Sequence, residues 1–181
     1  MVGLAGQGWP RPAELGHCSG LPSLGILVVW LLVLVGNGWG EETGWRGYAQ
    51  EHLQRRRGAL AATLVVAVLW AAWHAPMFAV LDSYQSLGVV AVPGFFLGLT
   101  YGAVVLTWVY NRCRHSILAA AVWHGCYNLA AATQASQGTV AAVVTTAVMV
   151  WALVLVVLEV RANRRGASVM AAQDDPGSDM A

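Results

Sequence analysis

Four stretches of this chain carry no Asp, Glu, Lys or Arg: Leu21 to Gly40, Gly58 to Leu81, Tyr84 to Asn111 and Ser116 to Leu158. A helix needs about 20 apolar residues to cross a bilayer, and the last run is long enough for two crossings around the polar break "TQASQG" at 133 to 138. Five candidate spans result. Strands are a poor alternative, because lipid leaves backbone polar groups unsatisfied outside helices and closed barrels, and barrel strands alternate polar with apolar residues. The composition agrees, with 57% hydrophobic and 10% charged residues, where a soluble domain has about a quarter charged. The expectation is an all-α, multi-pass transmembrane bundle of about five spans with the lipid bilayer as its solvent.

Lysine is absent, so arginine alone carries the topology signal. Arg46 and Arg55 to Arg57 lie at or beyond the end of the first span, Arg112 and Arg114 between the third and fourth, and Arg161, Arg164 and Arg165 after the fifth. The positive-inside rule places these three clusters, and the C-terminus, in the cytoplasm, and five spans then put the N-terminus outside. Arginine without lysine, with much Ala, Val and Gly, points to a GC-rich bacterial genome and a bacterial cell membrane. A net charge of +1 with no basic groove gives no sign of a nucleic-acid partner. Cys18, Cys113 and Cys126 form no CxxC pair, and a disulfide framework or zinc ribbon is not expected. Residues 1–23 read as an extramembrane N-terminal segment without a cleavable signal, residues 24–160 as the membrane domain, and residues 161–181 as a disordered cytoplasmic tail.

Ionisable groups inside a span are costly and usually face the bundle interior. The candidates are Glu41, Glu42, Arg46, His74 and His124, with Asn128 as a polar companion. Counting depth from the cytoplasmic turn at Arg56 at roughly 1.5 Å per residue, Glu41 lies about 22 Å in and His74 about 27 Å. His124 and Asn128, counted from the next cytoplasmic loop, lie about 16 and 22 Å in, so four side chains from three helices reach one layer. Glu42 and Arg46, four apart, pair as a structural ion pair at headgroup level, while Glu41 turns away and projects into a cavity. His124 and Asn128 share a face, and Trp70 lies one turn below His74 as a wall or positioning group. Pro76 leaves the carbonyl of Ala72 without its usual donor, two residues from His74. Lone helix histidines are more often packed than catalytic; convergence at one depth carries the reading. A glutamate and a histidine that activate water, opposite a histidine and an asparagine that donate to an oxyanion, form a hydrolytic site.

These residues make up "EETGWR", "WAAWH" and "HGCYN", and over about residues 25 to 135 the chain resembles the CPBP group of intramembrane proteases. That group includes the type II CAAX prenyl proteases and the Abi-like bacteriocin-processing or immunity proteins. Its pattern is EExxxR, aromatic-xxxH and HxxxN on successive hydrophobic segments. The resemblance implies a glutamate-dependent endopeptidase that cuts a membrane-associated protein or peptide. Glu41 and His74 would activate water, His124 and Asn128 would stabilise the oxyanion, and Glu42, Arg46 and Trp70 would support them. Two departures stand out. Trp70 occupies a position that is Phe in many members, and members carry further spans before the glutamate helix, so the chain is expected to be shortened at its N-terminus.

Much of the family's nomenclature says metalloprotease, and Glu41, His74 and His124 could ligate zinc with one position open. Asn is a poor zinc ligand but a good oxyanion donor, and no HExxH occurs, which favours a reaction without cofactor. Two other classes remain: a non-catalytic binding or immunity protein with the same architecture, and a small transporter using Glu41 as a proton relay.

Overall fold

The computed structural model describes residues 24–85, 87–132 and 138–172, and every regular element among them is helical. Helix α1 runs from Ile26 to Gln54. It begins and ends as α-helix but is wound as π-helix over Leu34–Glu41 and Thr43–Gln50. This is the stretch that holds five glycines and the EExxxR motif, and wide π-type turns are frequent at functional sites. After the turn at Arg55 to Arg57 follow α2 (Ala59–His74), the short α3 (Met77–Val80) and α4 (Asp82–Gln85), then α5 (Gly88–Arg112), α6 (Ile117–Ala132) and α7 (Thr139–Asn163).

Four helical stretches are long and apolar enough to cross a membrane: Ile26–Gln54, Ala59–Val80, Ala91–Arg112 and Thr139–Asn163. The fifth expected span, α6, is apolar but shorter. The break at 133 to 138 falls, except for Gly138, outside the described residues, as do the N-terminal segment 1–23 with Cys18 and His17. Pro76 interrupts the second span directly after His74. The Ala72 carbonyl is not left without a donor: Ala75 N–H reaches it at 3.2 Å, a tighter i→i−3 bond that replaces the one proline cannot make.

Two close backbone approaches fix the bundle. A Cβ on Gly38 would lie 2.7 Å from the Ala121 carbonyl oxygen, and one on Gly125 would lie 3.4 Å from Leu34 Cα. Helices α1 and α6 therefore touch along their backbones, the small-residue contact that membrane helices use in place of a hydrophobic driving force. Val104, Val105 and Val109 of α5 pack with Val148, Ala152 and Leu155 of α7, and a second cluster joins Ala67 and Trp70 to Leu106 and Ala120.

The tail departs from expectation. Instead of disorder from residue 161 onward, α7 continues to Asn163 and the chain then turns back as far as Ala172. Glu159 accepts hydrogen bonds from Ser168 Oγ (2.7 Å) and from the backbone N–H groups of Val169 (2.7 Å) and Met170 (2.9 Å). Asn111 Nδ2 donates to the Met170 carbonyl at 2.6 Å, Arg112 Nη2 donates to that of Val169 at 3.1 Å, and Met170 is fully buried. A buried carboxylate that accepts several N–H and O–H bonds is satisfied where an isolated one would be expelled. Residues 173–181 lie outside the described residues.

Candidate functional site

The crossing at Gly38 and Ala121 determines what meets one turn further along. Glu42 Oε1 lies 2.8 Å from His124 Nδ1 and 3.0 Å from Arg46 Nη1, and both Glu42 and Arg46 are 0% exposed. This corrects two expectations. The Glu42–Arg46 pair is not at headgroup level but inside the bundle, and the second glutamate is not a mere partner of arginine, since it also holds an imidazole from another helix. Consecutive helical residues point about 100° apart, so Glu42 faces α6 while Glu41 faces α2.

Glu41 does not project freely either. Its Oε2 accepts the indole Nε1–H of Trp70 at 2.8 Å, and Asn37 Nδ2 stands 3.5 Å from its Oε1. Trp70, only 4% exposed, is the hub of the site. Its ring lies edge-on to both imidazoles, with centroids 5.6 Å from His74 and 5.5 Å from His124, and the Arg46 guanidinium sits 4.8 Å from its centre. A cation over an indole in a desolvated place is worth about 2 kcal/mol, which offsets part of what burying Arg46 costs.

The histidines are oriented by their Nδ1 atoms. His74 Nδ1 is 2.8 Å from the Trp70 carbonyl, which can only accept, so His74 donates there and in its neutral form turns a lone pair on Nε2 away from its own helix. His124 points Nδ1 at the Glu42 carboxylate and likewise leaves Nε2 for other work. Asn128, one turn beyond His124, is half-buried, and no hydrogen bond joins it to another described residue.

Thus the expected residues Glu41, His74 and His124 all gather around Trp70, Glu42 and Arg46 lie directly behind, and Asn128 shares the helix of His124 without being engaged. For zinc, the expected donors Glu41, His74 and His124 do not fit as placed. Among the described residues no three His, Cys, Asp or Glu side chains gather closely enough for one ion, and the Glu41 carboxylate is already engaged by the indole.

Sequence reasoning missed an aromatic cover. Phe95 of α5 and Tyr84 of α4 approach the His74 ring to 5.7 and 6.4 Å, and Phe78 packs against both. Burial raises the Tyr84 phenol above its usual pKa, and the negative charge of Glu41 raises it further, so Tyr84 stands within the field of that carboxylate. The cluster "PGFF" just inside the third apolar run was the available signal. Away from the site, His52 is exposed, whereas His115 is half-buried, 3.0 Å from Glu51 and stacked on Tyr110.

No solved structure matches this chain. It is 33% identical over 108 residues to CAAX prenyl protease 2 of Methanococcus maripaludis, an alignment covering 58% of this chain and 39% of that protein, so the chain spans well under half of that relative. The family model of Rce1-like type II CAAX prenyl endopeptidases matches residues 23–130, a segment that contains every residue gathered around Trp70. The chain belongs to that Rce1-like family.

Proposed function

We propose that this protein is an intramembrane endopeptidase that hydrolyses a peptide bond in a membrane-associated protein or peptide. The observation that carries the reading is the meeting of Glu41, His74 and His124, from three helices, around one buried indole. Glu41, which accepts only the indole N–H and a long contact from Asn37, takes a proton from water held between it and His74 Nε2. The resulting hydroxide adds to the scissile carbonyl carbon. The Asn128 amide and the ring of His124, which Glu42 orients through Nδ1, stabilise the oxyanion that forms. Collapse breaks the C–N bond, and Glu41 returns the proton to the leaving amine, so one water is consumed and the enzyme is restored.

No metal enters this scheme. The name of the methanogen relative points to prenylated C-terminal substrates; for a chain of bacterial composition we assign the broader class of membrane-associated peptides. We place the arginine-rich ends and the C-terminus on the cytoplasmic side.

The test is cleavage of a fluorogenic peptide anchored in liposomes containing the purified protein. Glu41→Gln and His74→Ala are each expected to lower the rate by about a hundred- to ten-thousandfold. Wild-type rates in both would refute the assignment. If Glu41→Gln keeps the cellular phenotype while no cleavage is measurable, the protein acts by binding. Chelators are expected to leave cleavage unchanged, and loss restored by zinc would replace the proposed mechanism with a metal-dependent one.

A further inference from the structure

From the site toward the arginine-rich end, α1 turns one polar side chain per turn to the bundle interior: Glu42, Arg46, Gln50 and Gln54. The first three have no exposure at all. A helix that only packs would carry small or apolar residues there, and buried polar groups in a membrane usually mark a wet path or a reaction. Protein partners explain only part of the stripe. Gln50 Nε2 reaches Thr63 Oγ1 at 3.4 Å and Gln54 Oε1 at 3.2 Å, and Thr63 donates onward to Thr107 at 3.1 Å. Glu42 Oε2, Arg46 Nε and Nη2, and Gln50 Oε1 are sealed from bulk solvent yet have no partner among the described residues.

Four unmatched atoms on three successive turns of one face are costly, and internal water is the usual partner of such groups. They also alternate: an acceptor at Glu42, donors at Arg46, an acceptor at Gln50. The far end is open, because Gln54 also lines a cavity of about 350 Å³ together with Glu51, His115 and Glu159.

We propose that this stripe carries a file of internal water from that cavity to Glu42, and that the file supplies the hydrolytic water to a site enclosed by lipid. The proposal rests on the hydrolase reading for its purpose but not for its existence. Arg46, held by Glu42 through Nη1, offers the file its unmatched Nε and Nη2 donors at its middle.

Hydroxyl-radical footprinting with mass spectrometry of the wild-type protein in nanodiscs tests the file directly. Trp70 is expected to be oxidised despite its burial, and the oxidation to fall several-fold in Gln50→Met, while Trp151, away from the stripe, keeps its level. In liposome cleavage, Gln50→Met and Thr63→Val are each expected to lower kcat about tenfold with KM unchanged, whereas Thr63→Ser, which keeps the hydroxyl, retains the wild-type rate. Should Gln50→Met fail to fold, Thr63→Val and the wild-type labelling decide. An unlabelled Trp70, or both apolar variants at wild-type kcat, overturns the proposal. If the protein cleaves nothing but Trp70 labelling still depends on Gln50, the file stands and the hydrolase reading falls.

Discussion

Trp70 shows how much one side chain can add at a position expected to serve as a wall or positioning group. Its ring surface is shared by a guanidinium and two imidazoles, and its single polar atom is spent on Glu41. Trp70→Phe separates the two contributions, since phenylalanine keeps an aromatic face but has no N–H. Loss of one hydrogen bond to a carboxylate is worth about 1 kcal/mol or somewhat more, so cleavage is expected to fall about fivefold with little change in melting temperature. Glu42→Ala differs in kind. It leaves Arg46 buried without its carboxylate and His124 without its acceptor, and breaking a buried ion pair from one side costs about 3–5 kcal/mol. Thermal unfolding in detergent is expected to show a large drop for Glu42→Ala and a small one for Trp70→Phe. The spacing of Glu42 and Arg46 made their pairing legible in the sequence. That the pair is buried and reaches His124 was not legible, because it depends on which helix crosses α1 and how closely.

That crossing is a property of two elements, and glycine sets it. Gly38 allows the Ala121 carbonyl to lie where a side chain would otherwise begin, and the 2.7 Å contact with a rigid backbone atom leaves no room even for alanine without displacing α6. Gly36, two residues earlier, meets nothing within 4 Å. Gly38→Leu is therefore expected to separate α1 from α6, parting Glu42 from His124 and abolishing cleavage, while Gly36→Leu behaves as wild type in both cleavage and thermal stability. The apolar runs made the helices legible, and Pro76 marked the break after His74 correctly in place, though the Ala75 N–H compensates for the missing donor. The π winding of α1 was not legible. Depth estimated at the α-helical rise still placed Glu41, His74 and His124 near one another, because these side chains are long enough to absorb a few ångströms of error.

At the scale of the molecule, the parity of the crossings and the docking of the tail agree on one arrangement. The turn after α1, the loop after α5 and the segment after α7 all lie at the same end, and Arg112 and Asn111 bind the backbone of residues 169 and 170 across that end. Expected disorder failed here because composition does not register what one carboxylate can organise: Glu159, buried at the end of an apolar span, stays there only because the returning chain supplies three donors. Glu159→Ala should release the segment, giving faster proteolytic cleavage near Met170 and a loss of about 1–3 kcal/mol in stability. The same end also offers a native reporter of orientation. Cys113, in the loop beside Arg112 and Arg114, is a free, exposed thiol, whereas Cys126, also free and exposed, lies on apolar α6 at the level of the site. With Cys18 replaced by Ser, a membrane-impermeant maleimide should leave Cys113 unmodified in intact cells and modify it in inverted membrane vesicles, with Cys126 protected by lipid in both. Labelling of Cys113 from outside would reverse the whole bundle, since the shared end ties all three arginine clusters, the tail and the cavity at Gln54 to one face of the membrane.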